Sequence, residues 1–133
     1  FNFGTANNTI TLTVTDSNGA TSTATGQVHL TFLSGPTAHF SMNAQGQTVS
    51  DPGTLNLTVP VNGNVTVSFN STSSQGSAPI TNYVWKSNGT QICTNSSSCS
   101  FNFGTANNTI TLTVTDSNRA TSTATGQVHL TFQ

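Results

Sequence analysis

Apolar and polar residues alternate with a period of two over most of the chain. In 109–115, Ile110, Leu112 and Val114 alternate with threonine, and in 120–132, Ser122, Ala124, Gly126, Val128, Leu130 and Phe132 alternate with polar residues. Alternation this strict predicts a half-buried β-hairpin turning at Asp116-Ser117-Asn118-Arg119. The pattern also opens the chain, because residues 1–32 match residues 101–132 everywhere except Gly19, which becomes Arg119. Near-identity at a fixed offset predicts a tandem array. Residues 1–32 are then the C-terminal hairpin of a preceding repeat, and 33–133 is one complete repeat. An isolated hairpin is marginal in water, so strands to cover Ile10, Leu12, Val14, Val28, Leu30 and Phe32 must come from the rest of that preceding unit or from a neighbouring copy. Since the array uses both Gly and Arg at the turn, the turn is expected to accept either with small adjustment.

Between the two hairpins the same period recurs. Leu33-Ser34-Gly35-Pro36 reads as a short linker. Residues 37–43 place Ala38, Phe40 and Met42 on one face, 44–53 are loop-like with a turn at Asp51-Pro52-Gly53, and Leu55, Leu57, Val59 and Val61 alternate with polar residues. Pro60 has no N–H to donate, so that strand is expected at an edge or bulge. Strands follow with Val65, Val67 and Phe69 inward, with Tyr83 and Trp85 on one face, and with Cys99, Phe101 and Phe103 sharing inward parity. Seven or so strands in about 100 residues, without helical periodicity, predict an all-β sandwich with one large aromatic on a central strand.

Charge narrows the function classes. Lys86 and Arg119 are the only strong cations and Asp16, Asp51 and Asp116 the only acids among 133 residues, so Thr, Ser, Asn and Gln make the hydrophilic surface. Nucleic-acid binding needs clustered Lys and Arg, and so does an anionic membrane surface. No nucleic acid and no membrane contact are therefore expected for this segment, which also has no apolar run long enough to span a bilayer. With three carboxylates and three His to titrate, acid should barely unfold the protein; a steep loss of stability between neutral pH and about pH 3 would refute that.

Ile80-Thr-Asn-Tyr-Val-Trp85, followed by Thr109-Ile-Thr-Leu-Thr-Val-Thr-Asp-Ser-Asn118 and then Ala-Thr-Ser-Thr-Ala-Thr, resembles the PKD domain, an immunoglobulin-like module of microbial and archaeal surface proteins. The resemblance covers most of 36–132 and implies an immunoglobulin-like, PKD-like antiparallel two-sheet sandwich with Trp85 in its core. Where that family usually carries an acidic loop after this Trp, the present chain has Lys86-Ser87-Asn88-Gly89, which removes any suggestion of a cation site there.

Candidate chemistry is dominated by N-glycosylation sequons. Asn-x-Ser/Thr occurs at Asn7, Asn56, Asn64, Asn70, Asn88, Asn95 and Asn107, with Pro at x in none. Some arise by chance in so Thr-rich a chain, but each falls on an outward strand parity or in a loop, where a covalent glycan has room. Cys93 and Cys99 enclose five residues with no His or third Cys nearby, so a metal site is poor and a disulfide in an oxidising compartment is the expectation. His29, His39 and His129 read as solvated surface residues. Asp16 and Asp116 read as turn caps rather than calcium ligands, since no second carboxylate is near. No nucleophile, base or carboxylate pair forms a catalytic pattern, and isopeptide chemistry at Lys86 lacks a supporting acid. Neither catalytic residues nor metal or cofactors are expected.

The residues point to a structural role: a repeat of an extracellular, N-glycosylated filament, stalk or fibre at the cell surface, whose partners are neighbouring copies in a homopolymer and covalent glycans. The alternative is a carbohydrate-binding or adhesin module of a secreted protein, for which Tyr83 and Trp85 are the ring candidates besides Phe.

Overall fold

A computed structural model describes residues 1–133, which divide into two compact units, Phe1–Leu33 and Ser34–Gln133. The first is one hairpin, β1 (Asn7–Thr15) and β2 (Thr21–His29), paired antiparallel from Asn7↔His29 to Thr15↔Thr21. Phe1, Asn2 and Phe3 belong to no strand.

The second unit holds nine strands: β3 (Phe40–Ala44), β4 (Gln47–Ser50), β5 (Thr54–Val59), β6 (Val65–Ser71), β7 (Ile80–Ser87), β8 (Thr90–Thr94), β9 (Ser98–Phe103), β10 (Asn107–Asp116) and β11 (Thr121–Phe132). They form a four-stranded sheet in the order β4-β3-β6-β9 and a five-stranded sheet in the order β5-β11-β10-β7-β8. Every pairing is antiparallel except β5 with β11. The distribution of β3, β6 and β9 to one sheet and of β7, β10 and β11 to the other is that of an immunoglobulin-like sandwich. The fold class is therefore all-β, as the alternation implies.

Inward residues of both sheets meet in one core. Trp85 on β7 is fully buried, with the rings of Phe40 at 5.4 Å and Phe69 at 5.8 Å, and Phe103 lies 6.0 Å beyond Phe69. Edge-on and tilted contacts at these distances suit the ring quadrupoles. The indole N–H, which would be costly to bury unpaired, donates to the carbonyl of Ser96 at 2.9 Å. Ile110, Leu112 and Val114 complete the core from β10, with Leu112 opposite Trp85 in the sheet. Gly126 on β11 is required by packing: a methyl there would sit 3.0 Å from Met42 Cε and 3.1 Å from Phe40 Cζ.

The ends of this unit lie at opposite poles. At one, Ser34 N–H donates to Ser77 Oγ at 2.9 Å, Gly35 lies against Ala120, and Ala38 N–H donates to Ser122 Oγ at 3.0 Å. At the other, beyond the last residue of β11, Gln133 N–H donates to the Val59 carbonyl and its own carbonyl accepts from Val61 N–H. The 12 residues of β11 separate the poles, about 40 Å at ~3.3 Å per residue.

Several local expectations change. The segment 44–53 is not all loop, because Gln45 and Gly46, both at positive φ, make a tight turn into β4; only Val49 there carries an apolar signal. β5 is an edge strand and ends one residue before Pro60. Val61 consequently lies outside the strand and is 65% exposed. Phe101 keeps the parity of Cys99 and Phe103, yet is 38% exposed because β9 is itself an edge; its ring lies 5.0 Å from that of Phe103. Cys93 and Cys99 fall on two different strands, β8 and β9, which belong to different sheets.

Candidate functional site

The alternation that makes the sandwich also sets where the sequon side chains point. Asn56 is on β5 between buried Leu55 and Leu57, Asn70 is on β6 next to buried Phe69, Asn64 immediately precedes β6, and Asn7 and Asn107 are the first residues of β1 and β10. Asn88 sits in the β7–β8 turn and Asn95 just after β8, both at positive φ. All seven are exposed.

Three of them share one end of the five-stranded sheet. Asn56 pairs with His129, and His129 pairs in turn with Asn107, so β5, β11 and β10 contribute one cross-strand row. His129 Nδ1 lies 2.7 Å from Asn107 Oδ1; His29 and Asn7 make the same contact at 2.6 Å. Asn88 closes the row differently. Its Oδ1 accepts the Thr109 N–H at 2.8 Å while its Nδ2 donates to the Asn107 carbonyl at 3.3 Å. The sequon spacing carried no hint of this grouping, which needs the register of three strands.

Cys93 and Cys99 form a disulfide with Cα atoms 6.0 Å apart. It does more than close a small loop. Cys93 pairs with Trp85 in the five-stranded sheet and Cys99 with Phe69 in the four-stranded one, so the bond staples the two sheets where the chain crosses between them. The Ser96 carbonyl that receives the Trp85 indole N–H lies within the same ring.

The acids act locally. Asp116 Oδ1 accepts the N–H groups of Asn118 at 2.9 Å and Ala120 at 2.8 Å, and Asp16 holds Asn18 and Ala20 in the same way at 2.9 Å each. Asp51 Oδ1 accepts the Phe40 N–H, and its Oδ2 lies 3.1 Å from His39 Nδ1. Arg119 adopts φ 68° where Gly19 has φ 82°, so both residues occupy the left-handed region and the turn accepts Arg with a small adjustment. The Asp116 bonds hold it there against a cost of roughly 1 kcal/mol.

The remaining unusual surface is the face of the first hairpin. Ile10, Leu12 and Val14 are 44%, 62% and 55% exposed, whereas Ile110, Leu112 and Val114 are each 0% exposed.

No protein-family model and no curated protein match the chain. A solved structure of fibronectin(III)-like modules of Clostridium thermocellum CbhA is similar over 92% of this chain with TM-score 0.49 and 13% identity, and the alignment spans 60% of that chain.

Proposed function

We propose that Ser34–Gln133 is one repeat of an extracellular, N-glycosylated PKD-like filament, stalk or fibre at the cell surface, with successive repeats joined head to tail. The observation that carries this reading is that the chain enters the sandwich at one pole and leaves at the other, while a near-copy of the exiting hairpin stands 100 positions earlier in the sequence. Units with termini at opposite poles and linkers of a few residues extend in a line, and each contacts only its neighbours.

The sequons support an outdoor, shielding role. Asn56, Asn88 and Asn107 gather toward the pole at which the chain leaves, and Asn64 precedes β6 near the same end. Glycans there would surround the joint between repeats, where an extended linker is otherwise open to proteolysis. The inter-sheet disulfide suits an oxidising compartment. The carbohydrate-binding alternative needs an exposed aromatic platform; Trp85 is buried and Tyr83 is half-buried, so neither offers one, and the exposed rings are those of Phe1, Phe32 and Phe101.

Electron microscopy and peptide mass analysis of native material test the proposal together. The expected result is unbranched threads with an axial repeat of roughly 40 to 50 Å, from strand length plus linker, and heterogeneous mass additions on peptides carrying Asn56, Asn64, Asn70, Asn88, Asn95 and Asn107. Globular monomers with bare masses would overturn it.

A further inference from the structure

We infer that the apolar face of the Phe1–Leu33 hairpin is an assembly face, and that its partner is a framework with the sequence of residues 34–100 supplied by the polypeptide running into Phe1. The inference rests on the tandem-repeat reading above and adds the partner, the register and the exclusion of the chain's own sandwich.

Interchangeability comes first. The two hairpins have the same pairing, position for position, from Asn7↔His29 and Asn107↔His129 to Thr15↔Thr21 and Thr115↔Thr121. Their one difference, Gly19 against Arg119, is exposed at the turn. A framework that accepts residues 101–132 therefore meets the same surface in residues 1–32. That surface includes Gly26, a mid-strand glycine that weakens a free hairpin and has no atom within 4 Å of an added methyl. Its counterpart Gly126 is where Met42 and Phe40 press in. Gly26 is shaped for the same pressure.

The chain's own framework is out of reach. To fill it, the hairpin would place Phe32 where Phe132 lies, at the far pole, while Gly35 stays against Ala120 at the near one. From Phe32 to Gly35 the chain spans at most ~11 Å, against the ~40 Å length of a strand such as β11. A framework placed before Phe1 has no such mismatch. Strand β9 runs Ser98–Phe103, and its last three residues recur as Phe1, Asn2 and Phe3, so residues 34–100 followed directly by Phe1 restore β9 without a break. A β7-like strand then lies along β1 with its Trp opposite Leu12, and a β5-like strand lies parallel to β2, as at Leu112↔Trp85 and Leu130↔Leu57. A second copy is the poorer donor, because its framework already holds its own tethered hairpin, and exchanging identical hairpins leaves one bare each time.

Thiol labelling under native conditions tests this. Leu12→Cys is labelled in the 133-residue chain and in a longer chain with residues 34–100 copied in front of Phe1, with Leu112→Cys as the buried reference. The expected result is labelling slowed on the order of 100-fold or more in the longer chain, as for a site that reacts only through opening of a folded unit. Adding Gly26→Val to the longer chain should speed labelling at least several-fold while leaving the 133-residue chain unchanged. Equal reactivity of Leu12→Cys in both chains, with Leu112→Cys still protected, would overturn the inference. So would protection in the 133-residue chain that grows with concentration, which would make a second copy the occupant. Should Leu12→Cys itself prevent closure, amide exchange at Thr11 and Thr13 in the unsubstituted chains reads the same protection, and its absence counts against the inference equally. Because the filament reading is judged on native material, threads without this protection would remove only the present inference.

Discussion

Residues 1–32 and 101–132 are nearly the same polymer in two surroundings, and the structure separates what a hairpin does alone from what a core does for it. Pairing register, the Asp16 and Asp116 turn bonds, the Asn–His contacts and the hydroxyl contact of Thr13 with Thr23, repeated by Thr113 with Thr123, are the same in both copies. All of these are short in sequence and are fulfilled within the hairpin. Burial is not: β10 and β11 lie between β7 and β5 and under the four-stranded sheet, while β1 and β2 have both outer edges unpaired. At about 1.5 to 3 kcal/mol for each large side chain removed from water, Ile, Leu and Val in the second copy contribute stability that their counterparts in the first do not.

The comparison can be broken most severely through the cover itself. Trp85→Ala should destabilise Ser34–Gln133 by roughly 3 to 5 kcal/mol, read as a lower denaturation midpoint by far-ultraviolet circular dichroism; a near-neutral result would mean that Trp85 does not fill the core. Next, Leu112→Ala should cost about 2 to 5 kcal/mol, whereas Leu12→Ala should leave the same transition unmoved. Trp85 is the only tryptophan, so its fluorescence follows the second unit alone, and equal midpoint shifts from the two substitutions would dissolve the distinction. Smaller again, Gly126→Val should cost about 1 to 3 kcal/mol by overpacking against Met42 and Phe40, while Gly26→Val in the 133-residue chain should have no effect on that transition. The mildest change is Arg119→Gly. Relief of the left-handed backbone, offset by the greater freedom of Gly when unfolded, should raise stability by less than about 1 kcal/mol, visible as a small upward shift in midpoint.

The same contrast explains how far the residues alone reached. Period-two alternation was enough for the final hairpin and for the inward Trp85, since a strand with one buried face displays that face in its own sequence. The Asp116 cap and the accessibility of the seven sequon Asn side chains follow from the same local rule. Signals failed where a strand was short or its burial was lopsided: β4 offers only Val49, and the exposure of Val61 and Phe101 depends on where neighbouring strands stop.

Sequence by itself determined the recurrence of the hairpin, the strand parity, the hairpin register and the turn, because each rests on residues close together in the chain or on a direct comparison of two stretches of it. Tertiary structure alone decided that β8 and β9 belong to different sheets, that the Cys93–Cys99 bond therefore joins those sheets, and that Asn56, Asn88 and Asn107 gather at one pole. It also decided that one hairpin is covered and its twin is not. These depend on which distant strands lie alongside, and two identical stretches of sequence cannot differ in that respect by themselves.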